Sequence, residues 1–319
     1  MKNRIKIGLT IDVEPNISKI VSKTNDKYSG LTKAIPKILD VVTKHAVPVT
    51  WFITHDYWSK INLEFPSLVE KMNDNGEIGC HVHFRRKEER YYSDYDFQME
   101  IIEKATSSLR SQGYDVRSFR GGNYFFDENT LKVLEELNYQ IDSSVVPGLH
   151  SKLYPDVIIN HKEYLCNEPY FPSYKDHRMP GNSKILEIPL SICPYFEFHG
   201  KLISVYLGNI LNMKKPARNL LKNVKKIIRI WRDKKNIPIA LLTAHPWDFL
   251  FHMKERIHSL EKFIIQIQNQ LNAEFVSLSK IKRDFVAKNG YEFKQSPLII
   301  TKSDFHFIES LFNKLRARN

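Results

Sequence analysis

The sequence predicts an α/β barrel whose chemistry lies at the carboxyl ends of its strands. Short β-branched apolar runs alternate with segments whose apolar residues recur at helical spacing, which is typical of βα units around a parallel sheet. Polar residues gather where the apolar runs end, at the edge that carries the active site in such barrels. At 319 residues, the chain is long enough for one barrel with appendages.

The first predicted strand, Ile7 to Glu14, ends in two carboxylates. Asp12 and Glu14 are two residues apart, so their side chains face the same way in extended chain. A solvated strand end before Pro15 would explain the same residues. Only partners from other strands distinguish a site from a strand end.

The alternation of strands and helices continues to residue 143. The further predicted strands are 47–54, 77–84, 116–119 and 139–143, and the helices between them are 31–42, 66–72, 97–109 and one capped by Asp127. The helices carry ordinary amphipathic patterns, whereas the strand ends carry polar residues. This asymmetry is what a barrel with a carboxyl-end site would show.

Three of these strand ends carry candidate functional residues. His81 and His83 end the third strand, again two residues apart, and Arg120 follows the fourth. Asp142 ends the fifth strand. A lone histidine is more often a hydrogen-bonded core residue, but paired imidazoles that converge with a carboxylate are a common zinc site with a position open for water.

The second half of the chain contains an insertion and then completes the barrel. Residues 147–200 are rich in Pro, Gly and Tyr and predict loops and hairpins that cover the site. Residues 201–231 are predicted to be mainly helical and basic, and the strand 237–243 leads to His245. A helix at 256–271 and a strand at 274–277 end a predicted domain of residues 1–285. Residues 286–319 are then an appendage with an amphipathic helix at 305–315.

Composition favours a globular protein without disulfides. Hydrophobic residues make up 42% and charged residues 26% of the chain, and three scattered cysteines are too few for a disulfide framework. The opening apolar run is short and meets Asp12 at once, so we expect neither a signal peptide nor a membrane span. We therefore expect a cytoplasmic protein. The net charge of +12 would attract an anionic membrane surface or a phosphate-bearing ligand.

Taken together, the strand ends resemble the motifs of the polysaccharide deacetylase family, the NodB-homology or carbohydrate esterase 4 group, over about residues 5–285. The matching stretches are Thr10-Ile-Asp-Val-Glu14, Glu77-Ile-Gly-Cys-His81, Arg120-Gly-Gly-Asn-Tyr124, Asp142-Ser-Ser144 and Leu242-Thr-Ala-His245. Two positions depart from the family pattern: Val13 replaces its second aspartate, and Arg85 its second histidine. The resulting Asp-x-Glu and His-x-His look like a divergent branch among O-antigen and capsule-related deacetylases.

The resemblance implies an irregular (β/α)7-type barrel that hydrolyses an N-acetyl group on an amino sugar with a divalent metal ion, zinc by default. By this resemblance the metal ligands are Glu14, His81 and His83, the general base is Asp12 and the general acid is His245. Arg120 would orient the base, and Asp142 would hold His245 in the useful tautomer. Asp12 and Glu14 could exchange roles.

Two other functions are compatible with the same residues. One is a related amide hydrolase, such as a deformylase acting on a lipid-linked sugar or an enzyme for small amides. The other is an inactive barrel that binds glycan in the same cleft. The expected partner is an N-acetylated amino sugar, polymeric or linked to a lipid or nucleotide, and not a nucleic acid. The basic residues and the terminal helix also predict weak docking on an anionic membrane.

Overall fold

A curled parallel sheet wrapped by helices forms the body of the protein in a computed structural model. The structure describes residues 4–15, 28–54, 58, 61, 63–84, 92–147, 149–154, 157–161, 168–198, 201–204, 218, 221–222, 224–225 and 239–290. The predicted α/β barrel class is confirmed, since every pairing in the main sheet is parallel and helices follow most of its strands.

Twelve strands and six α-helices make up the described chain. The strands are β1 (Ile5–Val13), β2 (Val49–Thr54), β3 (Glu77–Val82), β4 (Ser118–Gly121), β5 (Ile141–Asp142), β6 (His150–Tyr154), β7 (Val157–Asn160), β8 (Leu186–Glu187), β9 (Ile192–Phe198), β10 (Lys201–Ser204), β11 (Ile239–Ala244) and β12 (Ala273–Phe275). The helices are α1 (Ile35–Lys44), α2 (Pro66–Asn75), α3 (Tyr95–Arg110), α4 (Glu128–Glu136), α5 (Met253–Gln270) and α6 (Leu278–Asn289).

The main sheet has the strand order β11-β1-β2-β3-β4-β5-β8, and β12 pairs with the start of β1. All nine residues of β1 are buried, as expected for a parallel strand covered on both faces. Ser191, just after β8, reaches the other end of this order: its N–H donates to Leu241 O at 3.2 Å, and its Oγ accepts from Leu241 N at 2.7 Å. These two bonds connect the edges of the curled sheet.

Helix caps and apolar packing fix the layers around the sheet. Asp127 caps α4 by accepting from Thr130 N at 2.8 Å, which confirms the predicted cap. Buried residues of α6, Leu278 and Ile281 among them, join the same apolar cluster as Phe52 and Leu241 of the sheet. Because α6 also packs beside Gly8 near the start of β1, it covers the amino-terminal end of the barrel. The carboxyl end remains for the site.

The structure corrects several predicted elements. Residues 185–190 were assigned to the covering insertion, but β8 within them is a strand of the main sheet. The predicted strand 139–143 is shorter, since β5 covers only Ile141–Asp142, and the N–H groups of residues 144–146 bond to side chains. Residues 201–204 form β10 and not a helix, whereas residues 218, 221–222 and 224–225 are helical. The helix α6 crosses residue 285, and the helix predicted at 305–315 lies outside the described residues.

The excursion does contain two antiparallel hairpins, β6–β7 and β9–β10, as the sequence predicts. Within the described ranges, no helix has the length and apolar character that crossing a membrane requires.

Candidate active site

Six of the seven predicted site residues meet at the carboxyl end of the barrel. Asp12 and Glu14 come from the end of β1, His81 and His83 from β3 and the residue after its end, and Arg120 from β4. His245 follows β11 directly. Because neighbours in a parallel sheet point to the same face, the side chains at these strand ends converge inside the barrel. The seventh residue, Asp142, lies behind this group.

Glu14 is the centre of the group. Its Oε2 accepts from His83 Nε2 at 2.6 Å, and its Oε1 lies 2.7 Å from His245 Nε2. Oε2 is also 3.9 Å from His81 Nε2. Burial alone would raise the pKa of Glu14, but the hydrogen bonds from His245 and His83 outweigh burial and lower it well below the usual range. Glu14 is therefore a buried carboxylate that stays ionised.

The tautomer of His81 makes it a suitable metal ligand. Its Nδ1 lies 2.9 Å from the carbonyl oxygen of Arg120, which can only accept, so Nδ1 carries the proton. Burial lowers the pKa of His81 to about 4, so the ring is neutral near pH 7 and Nε2 keeps its lone pair. That lone pair points toward the Glu14 carboxylate, 3.9 Å away. A cation placed between these two electron-rich atoms could bind to both.

His83 completes a three-residue donor set. The ligand atoms of Glu14, His81 and His83 all lie within 4.8 Å of one another. One carboxylate and two imidazoles are the donors of many catalytic zinc sites, which leave a further position for water or substrate. Gly122 makes room for this histidine, because a methyl group there would lie 2.5 Å from Cγ and Nδ1 of His83. The residues therefore fit a zinc ion.

Asp12 forms a buried ion pair with Arg120. Arg120 Nη1 donates to Asp12 Oδ1 at 2.6 Å, and the guanidinium is fully enclosed. The same Nη1 lies 2.9 Å from Thr10 Oγ1 and 3.0 Å from Thr243 Oγ1, while Nε and Nη2 donate to Ser143 O and Oγ at 2.9 and 3.0 Å. This arrangement leaves Asp12 Oδ2 facing the cleft, 3.9 Å from His245 Nε2.

His245 is held by a carboxylate that the sequence did not identify. Asp248 Oδ2 accepts from His245 N at 2.7 Å and lies 3.7 Å from its Nδ1. Burial lowers the pKa of His245, but Asp248 and Glu14 outweigh that effect and raise it to about 10. The Trp247 ring stacks on the imidazole at 4.1 Å with an interplanar angle of 13°. His245 is thus held between Asp248 and Glu14, its protonated form is favoured, and its Nε2 faces Glu14 and Asp12.

The prediction that Asp142 holds His245 is wrong. Asp142 lies on β5, where its carboxylate accepts from Ser144 N at 3.0 Å and Ser144 Oγ at 2.7 Å and pairs with Glu187. His245 instead contacts Asp248, three residues further along the chain. The feature of the sequence that could have identified Asp248 is its position three residues after His245, in the short stretch that the structure shows as the 3₁₀ helix Pro246–Phe249.

Sequence reasoning also missed the conformation of the loop that follows Arg120. Asn123 and Tyr124 both have positive φ, 54° and 64°, which costs non-glycine residues roughly 1–3 kcal/mol each. Burial raises the pKa of Tyr124, and Asp12 and Glu14 raise it further, so the phenol stays neutral beside the carboxylates. Backbone strain of this kind tends to occur at functional sites.

Comparison with known proteins gives a family match over the first part of the chain. Residues 3–141 match the polysaccharide deacetylase family. The matched domain contains the three proposed metal ligands, Asp12 and Arg120, but it ends before Asp142 and His245. A comparison with curated protein sequences gave no match.

Solved structures show the same fold over nearly the whole chain. A candidate polysaccharide deacetylase from Mycobacterium smegmatis is similar with a TM-score of 0.61 and 17% identity, covering 91% of this chain and 92% of that one. The Puue allantoinase has a TM-score of 0.61, 16% identity and coverage of 91% and 93%. A probable polysaccharide deacetylase from Pseudomonas aeruginosa PAO1 has a TM-score of 0.60, 15% identity and coverage of 91% and 93%. The fold shared with these structures therefore extends beyond the residues that match the family.

Proposed function

We propose that the protein is a metal-dependent hydrolase that removes the N-acetyl group from an amino sugar in a surface polysaccharide or its precursor. The observation that carries this proposal is the order of groups around Glu14. The donor set of Glu14, His81 and His83 lies beside His245, whose imidazole is favoured in its protonated form, and His245 in turn lies beside Asp12, an acceptor for a proton. Metal-assisted hydrolysis of an unactivated amide uses all three functions.

Asp12 is the general base of this proposal. Its Oδ1 is bound by Arg120, so Oδ2 is the oxygen directed into the cleft and can take a proton from the attacking water. Arg120 cannot lose its own proton and has no room to move, which keeps the carboxylate in one orientation. When bound, a zinc ion would polarise the amide carbonyl and lower the pKa of water at the site.

His245 is the general acid. Nδ1 faces Asp248 and Nε2 faces the carboxylates of the donor set and the base, so the proton on Nε2 is the one that the leaving amine would receive. An amine that leaves without a proton is too basic to be expelled at useful rates, and a general acid typically contributes about 10² to 10⁴ in rate. Trp247 stacks on the imidazole and limits its rotation.

A related amide hydrolase is the second candidate. The fold matches an allantoinase as closely as it matches the deacetylases, and the groups at the site would serve any amide whose carbonyl carbon reaches the cleft. An inactive glycan-binding barrel is the third, and it is disfavoured by the candidate base and acid that are both retained beside the donor set.

The deciding experiment combines metal content with a substrate panel. Purified protein should hold about one zinc ion per chain, and His81→Ala and His83→Ala should each reduce zinc occupancy at limiting metal. Polymeric, lipid-linked and nucleotide-linked N-acetyl and N-formyl amino sugars, together with allantoin, are then screened for acetate, formate or ring opening. Acetate release blocked by a hydroxamate supports the proposal. Formate or ring opening alone selects the second candidate, and glycan binding without hydrolysis selects the third.

A further inference from the structure

The 143–146 segment, which follows β5, is hydrogen-bonded to Arg120 on one side and to titratable side chains on the other. Arg120 donates to both the carbonyl oxygen and the hydroxyl of Ser143. Of the four consecutive backbone N–H groups of the segment, the first continues the pairing of β5 with β4, and the other three need acceptors elsewhere. The first bonds to Phe119 O at 3.0 Å.

The other three N–H groups bond to side chains. Ser144 N donates to Asp142 Oδ2 at 3.0 Å, Val145 N to Glu187 Oε1 at 3.1 Å, and Val146 N to His161 Nδ1 at 3.2 Å. Glu187 and His161 are both completely buried and come from β8 and from the end of the β6–β7 hairpin. A strand of the main sheet and the end of a covering hairpin thus both reach in to hold one short segment beneath Arg120.

Each of these two side chains is buried with one polar atom left over, although Glu187 also pairs with Asp142. Glu187 Oε2 and His161 Nε2 are buried and have no hydrogen-bond partner. A buried polar atom without a partner costs about 1–3 kcal/mol, so an apolar residue would suit packing better at either position. The bonds to Val145 N and Val146 N are what offset this cost, which indicates that the position of the segment matters.

We propose that Glu187 and His161 are positioning residues for the Arg120–Asp12 pair, acting through the 143–146 segment. This proposal rests on the function proposed above. If either acceptor is lost, the segment shifts, Ser143 no longer receives Nε and Nη2 of Arg120 together, and the oxygen of Asp12 that faces the cleft loses its fixed direction. Both residues lie outside the sequence that matches the deacetylase family.

The charged groups around the two acceptors are few. Asp142 and Arg120 face Glu187, and burial together with the Asp142 charge raises the pKa of Glu187. His177 and Arg178 lie near His161, and His177 is itself bonded to Glu128 through Nδ1 at 3.0 Å. Each acceptor can therefore be replaced by an amide of similar shape that accepts the same bond without titrating.

The test compares two pairs of variants in the full chain. His161→Asn and Glu187→Gln keep an oxygen acceptor for the segment, whereas His161→Leu and Glu187→Leu remove it. We expect the leucine variants to lower kcat about 10-fold or more with a smaller change in KM, and the amide variants to stay within about threefold of wild type. Tyr139→Phe is the control. It removes a buried hydrogen bond of 2.7 Å to Thr106 Oγ1, which does not involve the segment, so it should lower the stability and leave kcat unchanged.

A second measurement does not depend on activity. The Nε–H group of Arg120 is buried and bonded to Ser143 O, so its signal can be followed by NMR in each variant. The proposal requires this signal to shift or broaden in both leucine variants and to persist in both amide variants and in Tyr139→Phe. An unchanged Arg120 signal, or leucine variants with normal kcat, overturns it. If wild type releases no acyl group from any substrate, the function proposed above fails while the NMR result still decides whether Arg120 is positioned in this way.

Discussion

Acid should destabilise the protein through His161 at a pH where carboxylates remain ionised. Val146 N–H points at Nδ1 of this ring, so a second proton on the imidazole would replace the acceptor with a donor facing a donor. Burial, with His177 and Arg178 nearby, lowers the pKa of His161 to about 3 from an ordinary value of 6.5. The folded protein thus keeps His161 neutral where the unfolded chain protonates it.

The size of the effect follows from the shift in pKa. Because the unfolded state binds the proton first, the free energy of unfolding falls as the pH drops below 6.5 and continues to fall until the pH reaches about 3. Each pH unit in that window costs about 1.4 kcal/mol, so His161 should lower the free energy of unfolding by about 2 kcal/mol at roughly pH 5. Above the unfolded pKa the effect is absent.

The assay is urea unfolding of wild type and His161→Asn at several pH values between about 7 and 5. Asparagine keeps an acceptor for Val146 N–H and does not titrate. The free energy of unfolding of the variant should therefore fall less steeply with decreasing pH than that of wild type, whatever the stability of the variant at neutral pH. His81, whose pKa is also lowered, contributes equally to both proteins and cancels in the difference. Parallel pH dependences for the two proteins would show that protonation of His161 does not oppose folding.

Three further predictions concern the site and the charged surface. Gly122→Ala should weaken zinc binding, because the new methyl group would displace the His83 ring; equilibrium competition with a chelator measures this. Asp248→Asn should move the alkaline limb of the kcat profile to lower pH, since Asp248 raises the pKa of His245, whereas Asp142→Asn should leave that limb in place. The basic surplus predicts binding to anionic liposomes that disappears as salt is raised, measured by co-sedimentation.

Each of these has a matched control or a contrary outcome. Gly113→Ala is the control for Gly122→Ala, because nothing lies within 4 Å of the added methyl group, although its φ of 87° makes it cost stability. Normal zinc affinity in Gly122→Ala would mean that His83 is not a ligand. If the alkaline limb of the kcat profile shifts in Asp142→Asn and not in Asp248→Asn, then Asp142 is the carboxylate that acts on His245. Liposome binding that is absent even at low salt would leave the charge without a membrane role.

The convergence of the site was predictable because it depends on local geometry. The two-residue spacing of Asp12 and Glu14, and of His81 and His83, places each pair on one face of a strand whatever the rest of the chain does. A strand ending in His245 was equally clear from the apolar run before it. The polar ends of parallel strands then meet by topology alone.

The partners of these residues were less predictable because they depend on contacts distant in sequence. Asp142 and Asp248 are both carboxylates near strand ends, and only the order of strands shows which one reaches His245. Glu187 sits in a two-residue strand inside a region rich in loop-forming residues, so its place in the sheet had no periodic signal. His161 is visible as a functional residue only once Val146 N is seen to need an acceptor.

The contacts of Arg120 also bear on how the chain reaches its folded state. A single nitrogen, Nη1, bonds to Asp12 on β1 and to Thr243 on β11, which are separated in sequence by most of the protein. During synthesis, a chain that has reached β5 already holds Arg120 and Asp12 but lacks the strand that closes over them. Contacts of such long range form late, after much loop-closure entropy has been lost. The charged centre should therefore assemble in the last cooperative step, so that incomplete chains carry no working site.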